Sequence, residues 1–205
     1  MNTIDSLSEY FKKFPGIGSR QAKRFVYFLL HQNPSYLNEI TALINSLKKE
    51  VAQCPSCFIF HHSQNKTILC KACNNPEANR EFLMILEKDT DYENFHGSNF
   101  YKGLYFILGG LVPIVEKTTS QNIRIRELLK VVEERLNAGE LKEIILALSL
   151  NPQGENTDMY LRQNLSPLSE KYGLKISSLG RGLSTGLELE YSDSETLKNA
   201  LKNRS

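Results

Sequence analysis

Cys54-Pro55-Ser56-Cys57 and Cys70-Lys71-Ala72-Cys73, twelve residues apart, contain all four cysteines of this chain. Two close pairs of thiolates form the ligand set of a tetrahedral zinc ion, because each pair can wrap one side of the metal. Disulfides or unrelated core thiols are the alternatives, but a disulfide framework needs an oxidising compartment and is typical of shorter, cysteine-dense chains. The spacing predicts a structural Zn²⁺ site that is closed to water. Its ligands are Cys54, Cys57, Cys70 and Cys73.

The composition is that of an ordinary globular protein. The chain has 205 residues, of which 40% are hydrophobic and 23% charged, and its formal net charge is +2. Because the net charge is small, any surface that binds nucleic acid must be local. Residues 1–10 include two acids and no long apolar run, and no stretch approaches the roughly 18 apolar residues of a membrane helix. We therefore expect a cytoplasmic protein without a signal peptide or membrane anchor.

Helical patterns fill residues 1–53, ahead of the first cysteine pair. Apolar residues at helical spacing predict a first helix that ends near Phe11 and a third over residues 36–52. A second helix is predicted over residues 20–30, with Ser19 as its N-cap. Pro15 and two glycines separate the first two helices and predict a tight turn.

The turn after the first helix has features of a phosphate-binding hairpin. Glycines let the backbone approach another group closely, and the following helix offers free N–H groups at the positive end of its dipole. Residues 11–24 include five basic residues and no acid. We interpret this pattern as a helix-hairpin-helix that grips the DNA backbone without reading sequence; the alternative is a plain turn beside a solvated face. The candidate DNA-binding residues are Gly16, Gly18, Arg20, Lys23 and Arg24.

Beyond the cysteines, short apolar runs alternate with helical patterns. Such alternation predicts a mostly parallel α/β sheet. Met159 and Tyr160 are expected to face inward, and Tyr101 and Tyr105 to lie in the sheet core or in subunit contacts. Strands are predicted at residues 81–87, 105–108, 143–149 and 174–179, and helices at residues 123–136 and 155–165.

Taken in this order, the hairpin, the cysteine pairs and the α/β segment resemble the RecR family of bacterial recombination mediators along essentially the whole chain. Single motifs are shared with other families, but the combination is specific. The matching residues are Phe14-Pro-Gly-Ile-Gly18 with Arg24, the four cysteines, Arg80-Glu81, Ile85-Leu-Glu87, Tyr101-Lys-Gly-Leu-Tyr105, Leu108-Gly-Gly110, Ile123-Arg-Ile-Arg-Glu-Leu-Leu129, Asn151-Pro152, Gly154-Glu155, Arg181-Gly-Leu183, Gly186-Leu-Glu-Leu-Glu-Tyr191, Asp193, Thr196-Leu197 and Ala200-Leu201.

The resemblance implies four parts and a function. The parts are a helix-hairpin-helix domain at residues 1–53, a four-cysteine zinc finger at residues 54–79, a Toprim domain at residues 80–173 and a C-terminal segment at residues 174–205, which takes part in subunit contacts. The implied function is that of a non-catalytic mediator in recombinational DNA repair. It would form a homotetrameric clamp, act with RecO and RecF at gapped DNA, and help to load RecA.

The Toprim resemblance raises a rival hypothesis, a Mg²⁺-dependent nuclease or primase-like enzyme. Such sites hold Mg²⁺ through a Glu at one strand end and an Asp-x-Asp after a later strand, since hard oxygen ligands suit this ion. Glu87 fits the first position, but residues 149–151 carry no Asp and Lys88 adds positive charge. We therefore expect no catalysis. Glu87, Asp91 and Glu155 are instead candidates for receiving basic side chains of RecO.

Overall fold

The computed structural model describes residues 2–63, 68–98, 100–114, 123–180, 182–183, 186 and 188–202. Arg181 and Leu187, which belong to the motifs quoted above, lie outside these residues. The chain divides into two compact units, residues 1–52 with 62–64 and residues 53–61 with 65–205. Within the described ranges, no helix is both long enough and apolar enough to cross a membrane.

The first unit is built from three helices, as the apolar spacing predicted. Asn2 and Asn33 cap the first and third helices, because their side-chain oxygens accept hydrogen bonds from backbone N–H groups of the first turn at 2.9 and 2.8 Å. Phe11 packs edge-to-face on Phe25, with ring centroids 5.7 Å apart. The helices are α1 (Thr3–Phe11), α2 (Ser19–Leu30) and α3 (Pro34–Glu50).

The second unit contains a four-stranded sheet in the order β4-β3-β5-β6, and all its strand pairs are parallel. This confirms the predicted α/β class. Two short paired strands, β1 (Val51–Gln53) and β2 (Phe60–His62), precede the sheet. The elements that follow them are α4 (Lys71–Asn74), β3 (Asn79–Leu86), α5 (Asp89–Ser98), β4 (Gly103–Ile107), α6 (Ile125–Asn137), β5 (Glu143–Ala147), α7 (Pro152–Tyr172), β6 (Lys175–Ser178), a 3-10 helix (Leu189–Tyr191) and α8 (Ser194–Lys202).

The sheet is buried on both faces, and alternate residues of its strands point to opposite sides. Leu83 and Ile85 of β3 belong to a core cluster that includes apolar side chains of α6 and α7. Met84 and Leu86 belong to a second cluster that includes Tyr92 of α5 and all four cysteines. The cysteine segment therefore covers one face of the sheet, and it belongs to the sheet-containing unit rather than to the helical one.

Several details differ from the sequence-based expectations. α5 was not predicted, and α7 ends at Tyr172 rather than at residue 165. Gly18, not Ser19, is the N-cap of α2, and no side chain caps that helix. Met159 is 70% exposed rather than buried. α7 begins at Pro152, earlier than predicted, because the Asn151 side chain accepts a hydrogen bond from the Gly154 N–H at 2.8 Å.

Candidate nucleic-acid interface and metal centre

The four cysteines converge into one buried group. Their Sγ atoms all lie within 4.8 Å of one another, and none of the four is in a disulfide. The Sγ atoms of Cys57 and Cys70 are 3.4 Å apart, whereas four sulfurs about 2.3 Å from one tetrahedral metal ion would be about 3.8 Å apart. The arrangement is consistent with a closed, four-thiolate metal site.

Local backbone geometry positions both cysteine pairs. In the first pair, the Phe58 N–H donates to the Cys54 carbonyl and the Cys54 N–H donates to the Ile59 carbonyl, both at 2.9 Å. In the second pair, Cys70 caps α4, and its Sγ atom accepts from the Cys73 N–H at 3.4 Å. Each motif is therefore a tight turn that presents its two sulfurs to the same side.

Phe58 anchors the first cysteine turn to the sheet, a role that the sequence analysis missed. Its ring packs edge-to-face on Phe106 of β4, with centroids 5.3 Å apart, and the Arg124 guanidinium lies 5.0 Å from the Phe58 ring centroid. Arg124 also donates to the Ile107 carbonyl at 2.9 Å, while the Ile107 N–H donates to the Cys57 carbonyl at 2.9 Å. Phe58 adopts a left-handed φ of 63°, which is unfavourable for a non-glycine residue, so these contacts hold it there.

The hairpin between α1 and α2 contains two glycines and leads into a helix without a side-chain cap. Gly16 has a φ of 76°, a value that glycine adopts without strain. Gly18 has an ordinary φ of −84°. A Cβ atom built on it would meet nothing within 4 Å. The space in front of the first turn of α2 is therefore open, and the lack of a side chain at Gly18 keeps it so. Because no side chain caps α2, the first N–H groups of that helix remain available to a ligand.

Three exposed cations follow this turn on α2. Arg20, Lys23 and Arg24 make no hydrogen bond or ion pair with any of the described residues. Lys12 differs, because its ammonium pairs with Glu9 at 2.6 Å. The α2 cations are therefore free to contact phosphate oxygens.

Two of the three acidic candidate residues, Glu87 and Asp91, lie close together in the sheet-containing unit. Glu87 follows β3, its side chain is 15% exposed, and one carboxylate oxygen accepts a hydrogen bond from the Ser149 hydroxyl. Lys88 lies 3.8 Å from the other carboxylate oxygen. Burial, and after it the charge of Glu87, raises the pKa of Asp91, whose carboxylate accepts from the Lys88 N–H at 3.2 Å.

Glu155 is exposed in the first turn of α7. In the described part of the chain, only the four cysteines form a group of three or more His, Cys, Asp or Glu side chains suited to a metal ion. The link between Ser149 and Glu87 was not predicted; the available signal was the position of Ser149 just after β5, where Toprim enzymes carry an acid.

Two family models match consecutive parts of the sheet-containing unit. Residues 81–180 match the Toprim domain model, and residues 182–205 match the RecR C-terminal model. Curated relatives named Recombination protein RecR include one from Dehalococcoides mccartyi, 36% identical over 98% of this chain and 91% of that protein. Those from Bacteroides fragilis and Chlorobium limicola are 36% and 33% identical, over 95% and 98% of this chain and 89% and 96% of their own lengths. With relatives this similar over nearly its whole length, the chain belongs to the RecR family.

Proposed function

We propose that this chain is a non-catalytic recombination mediator that binds DNA through the hairpin and α2. The observation that carries the proposal is the set of three unpaired cations beside an uncapped helix N-terminus, in a chain of the RecR family. The first N–H groups of α2 would donate hydrogen bonds to one phosphate, and Arg20, Lys23 and Arg24 would contact the neighbouring phosphates. Such contacts position a protein on DNA but carry no sequence information.

Zinc is the metal that best fits the cysteine group. Four buried sulfurs at mutual distances within 4.8 Å suit a tetrahedral ion of soft preference. When bound, zinc would supply structural stabilisation only, since four thiolates leave no open position for water. Cys54, Cys57, Cys70 and Cys73 would hold it, and Phe58 and Arg124 would fix the first pair against the sheet.

We assign the domains as the family resemblance implies, with one adjustment. The helix-hairpin-helix domain takes residues 1–53 and the four-cysteine module residues 54–79. The Toprim domain begins at residue 80. The pairing of β6 with β5 and the Toprim match that ends at residue 180 favour extending this domain from residue 173 to about residue 180. The C-terminal segment then follows.

The chain would act as a homo-oligomer, a tetramer that closes around DNA. Net charge of only +2 and three free cations per hairpin imply weak binding by one copy, and several linked hairpins raise the effective concentration. Exposed apolar side chains on α3 support self-association, because Leu43, Ile44 and Leu47 are each about 60% exposed. RecO and RecF would be partners in the cytoplasm, at gapped DNA on which RecA is loaded.

Light scattering with and without gapped DNA tests assembly and binding together. We expect the protein alone to have the mass of a homo-oligomer and to form a defined complex with a gapped duplex of any sequence. The complex should dissociate as salt rises, because counterions are released on binding. A monomer that binds the same DNA as tightly as the larger species would contradict the clamp.

The rival function, Toprim-type phosphoryl transfer, predicts that Glu87 is needed for catalysis, whereas the mediator function predicts that it is not. We expect Glu87→Gln to leave DNA affinity within about twofold, because the residue contacts Ser149 and Lys88 rather than the hairpin. The same substitution should weaken binding of RecO, measured by titration calorimetry. Glu93→Gln, on exposed α5, is the matched control. Cleavage, relaxation or primer synthesis with Mg²⁺ or Mn²⁺ that disappears in Glu87→Gln would restore the enzyme hypothesis.

A further inference from the structure

A cleft of about 390 Å³ opens at the amino end of β4, far along the strands from the Glu87 edge. One wall comes from the loop after α4, and the other comes from α5. The volume is in the range of about 300–1,000 Å³ that is usual for small-molecule sites. Its main lining side chains are Asn75, Glu77, His96, Tyr101, Lys102 and Tyr105.

Aromatic rings form the base of this cleft. Tyr105 contacts both Tyr101 and Tyr92 edge-to-face, each with centroids 5.1 Å apart, and His96 stacks on Tyr92 at 5.0 Å. Tyr101 lies against Gly103, where an added Cβ would be 2.3 Å from its hydroxyl oxygen. The Tyr101 hydroxyl donates to the Leu104 carbonyl at 3.2 Å. The rings are therefore held in place before any ligand arrives.

Polar groups without internal partners surround these rings. Neither the carboxylate of Glu77 nor the imidazole nitrogens of His96 hydrogen-bond or pair with any described residue. Asn75 uses its side-chain oxygen to accept from the Glu77 N–H at 3.0 Å, which leaves its NH₂ group available. A carboxylate accepts from the N–H edge of a heterocycle, and an amide NH₂ donates to a carbonyl or ring nitrogen.

We propose that this cleft binds an unpaired nucleobase of gapped or single-stranded DNA. A nucleobase is flat and needs a ring to stack on and hydrogen-bond partners for its edge. Tyr101 and His96 provide the ring surface, and Glu77 and Asn75 provide the hydrogen-bond partners. Lys102 lies at the rim, where its positive charge would attract the phosphate next to the base and would repel a cationic side chain. The proposal rests on the DNA-binding function proposed above, and it adds a contact that only unpaired strands can make.

The test compares two gapped duplexes that differ only in the gap, which holds thymidines in one and abasic residues in the other. Fluorescence anisotropy with the full-length, zinc-loaded protein should show about tenfold tighter binding to the thymidine gap, since stacking of one base contributes about that much or more. The double variant Glu77→Gln with His96→Ala should lose this preference and retain wild-type affinity for the abasic gap. Both positions are exposed, so the fold should survive, which a melting curve checks. Glu93→Gln with His31→Ala is the matched control and should keep the preference.

Each other outcome overturns the inference. Salt-sensitive binding that is equal for the two gaps in the wild type would remove the base contact and leave the proposed function standing. A tenfold preference that persists in the double variant would place the base elsewhere. If the double variant kept the preference for the thymidine gap but bound RecO more weakly, the cleft would be a binding site for a side chain of RecO. Failure of both duplexes to bind would remove this inference and the proposed DNA function together.

Discussion

Cys70→Ser is expected to release the metal and to destabilise the sheet-containing unit. The cysteines belong to the same core cluster as Met84, Leu86 and Ile107, so the loss should spread into the sheet. A thousandfold weaker affinity for the ion would remove about 4 kcal/mol of stabilisation, which corresponds to a fall in Tm of about 10 °C for a domain of this size. Calorimetry and zinc content by mass spectrometry measure the two effects.

The serine substitution isolates the contribution of the metal. Cys70 also caps α4, and a serine side chain can accept the same hydrogen bond, so the cap is retained while the thiolate is lost. Lys71→Ser, an exposed change one residue away, is the matched control and should keep both zinc and Tm. Full zinc content with unchanged melting in Cys70→Ser would refute the metal assignment.

A triple variant with Gln at Arg20, Lys23 and Arg24 is expected to lose at least about 100-fold in DNA affinity at low salt. Each lost phosphate contact should make the negative slope of log affinity against log salt shallower by about 0.9. The variant should remain folded and oligomeric, because the three side chains are exposed and make no hydrogen bond or ion pair with any described residue. Anisotropy titrations at several salt concentrations provide the measurement.

Two further variants distinguish the effect of losing positive charge from the effect of blocking the N-terminus of α2. Gly18→Ala should leave stability nearly unchanged, since its φ of −84° suits alanine, but the new methyl group should obstruct phosphate at the helix N-terminus. Gln at Lys130, Lys171 and Lys198 together removes the same charge from the other unit and is the control. Wild-type affinity in the α2 triple variant, or an equal loss in the control, would contradict the hairpin as the DNA site.

Local signals were sufficient for most helices and for the set of four cysteines that the structure brings together. The apolar spacing predicted the end of α1 and both ends of α3 within about two residues, because helix formation depends on neighbours three and four apart. The apolar runs predicted the four strands of the parallel sheet for a similar reason. The Ser19 and Met159 assignments were wrong, since a glycine can begin a helix and an apolar side chain can remain exposed.

Residue patterns alone predicted the three N-terminal helices, the α/β class, the cysteine set and the glycine hairpin, because each depends on residues close in the chain, but they did not predict α5. Only the tertiary structure decided that the cysteine segment covers a sheet face, that Phe58 holds a left-handed turn against Phe106, and that Ser149 donates to Glu87. The Phe58–Phe106 and Ser149–Glu87 contacts join residues that are 48 and 62 positions apart in the chain. No local propensity encodes such pairs, since they arise only when strands and helices are packed together.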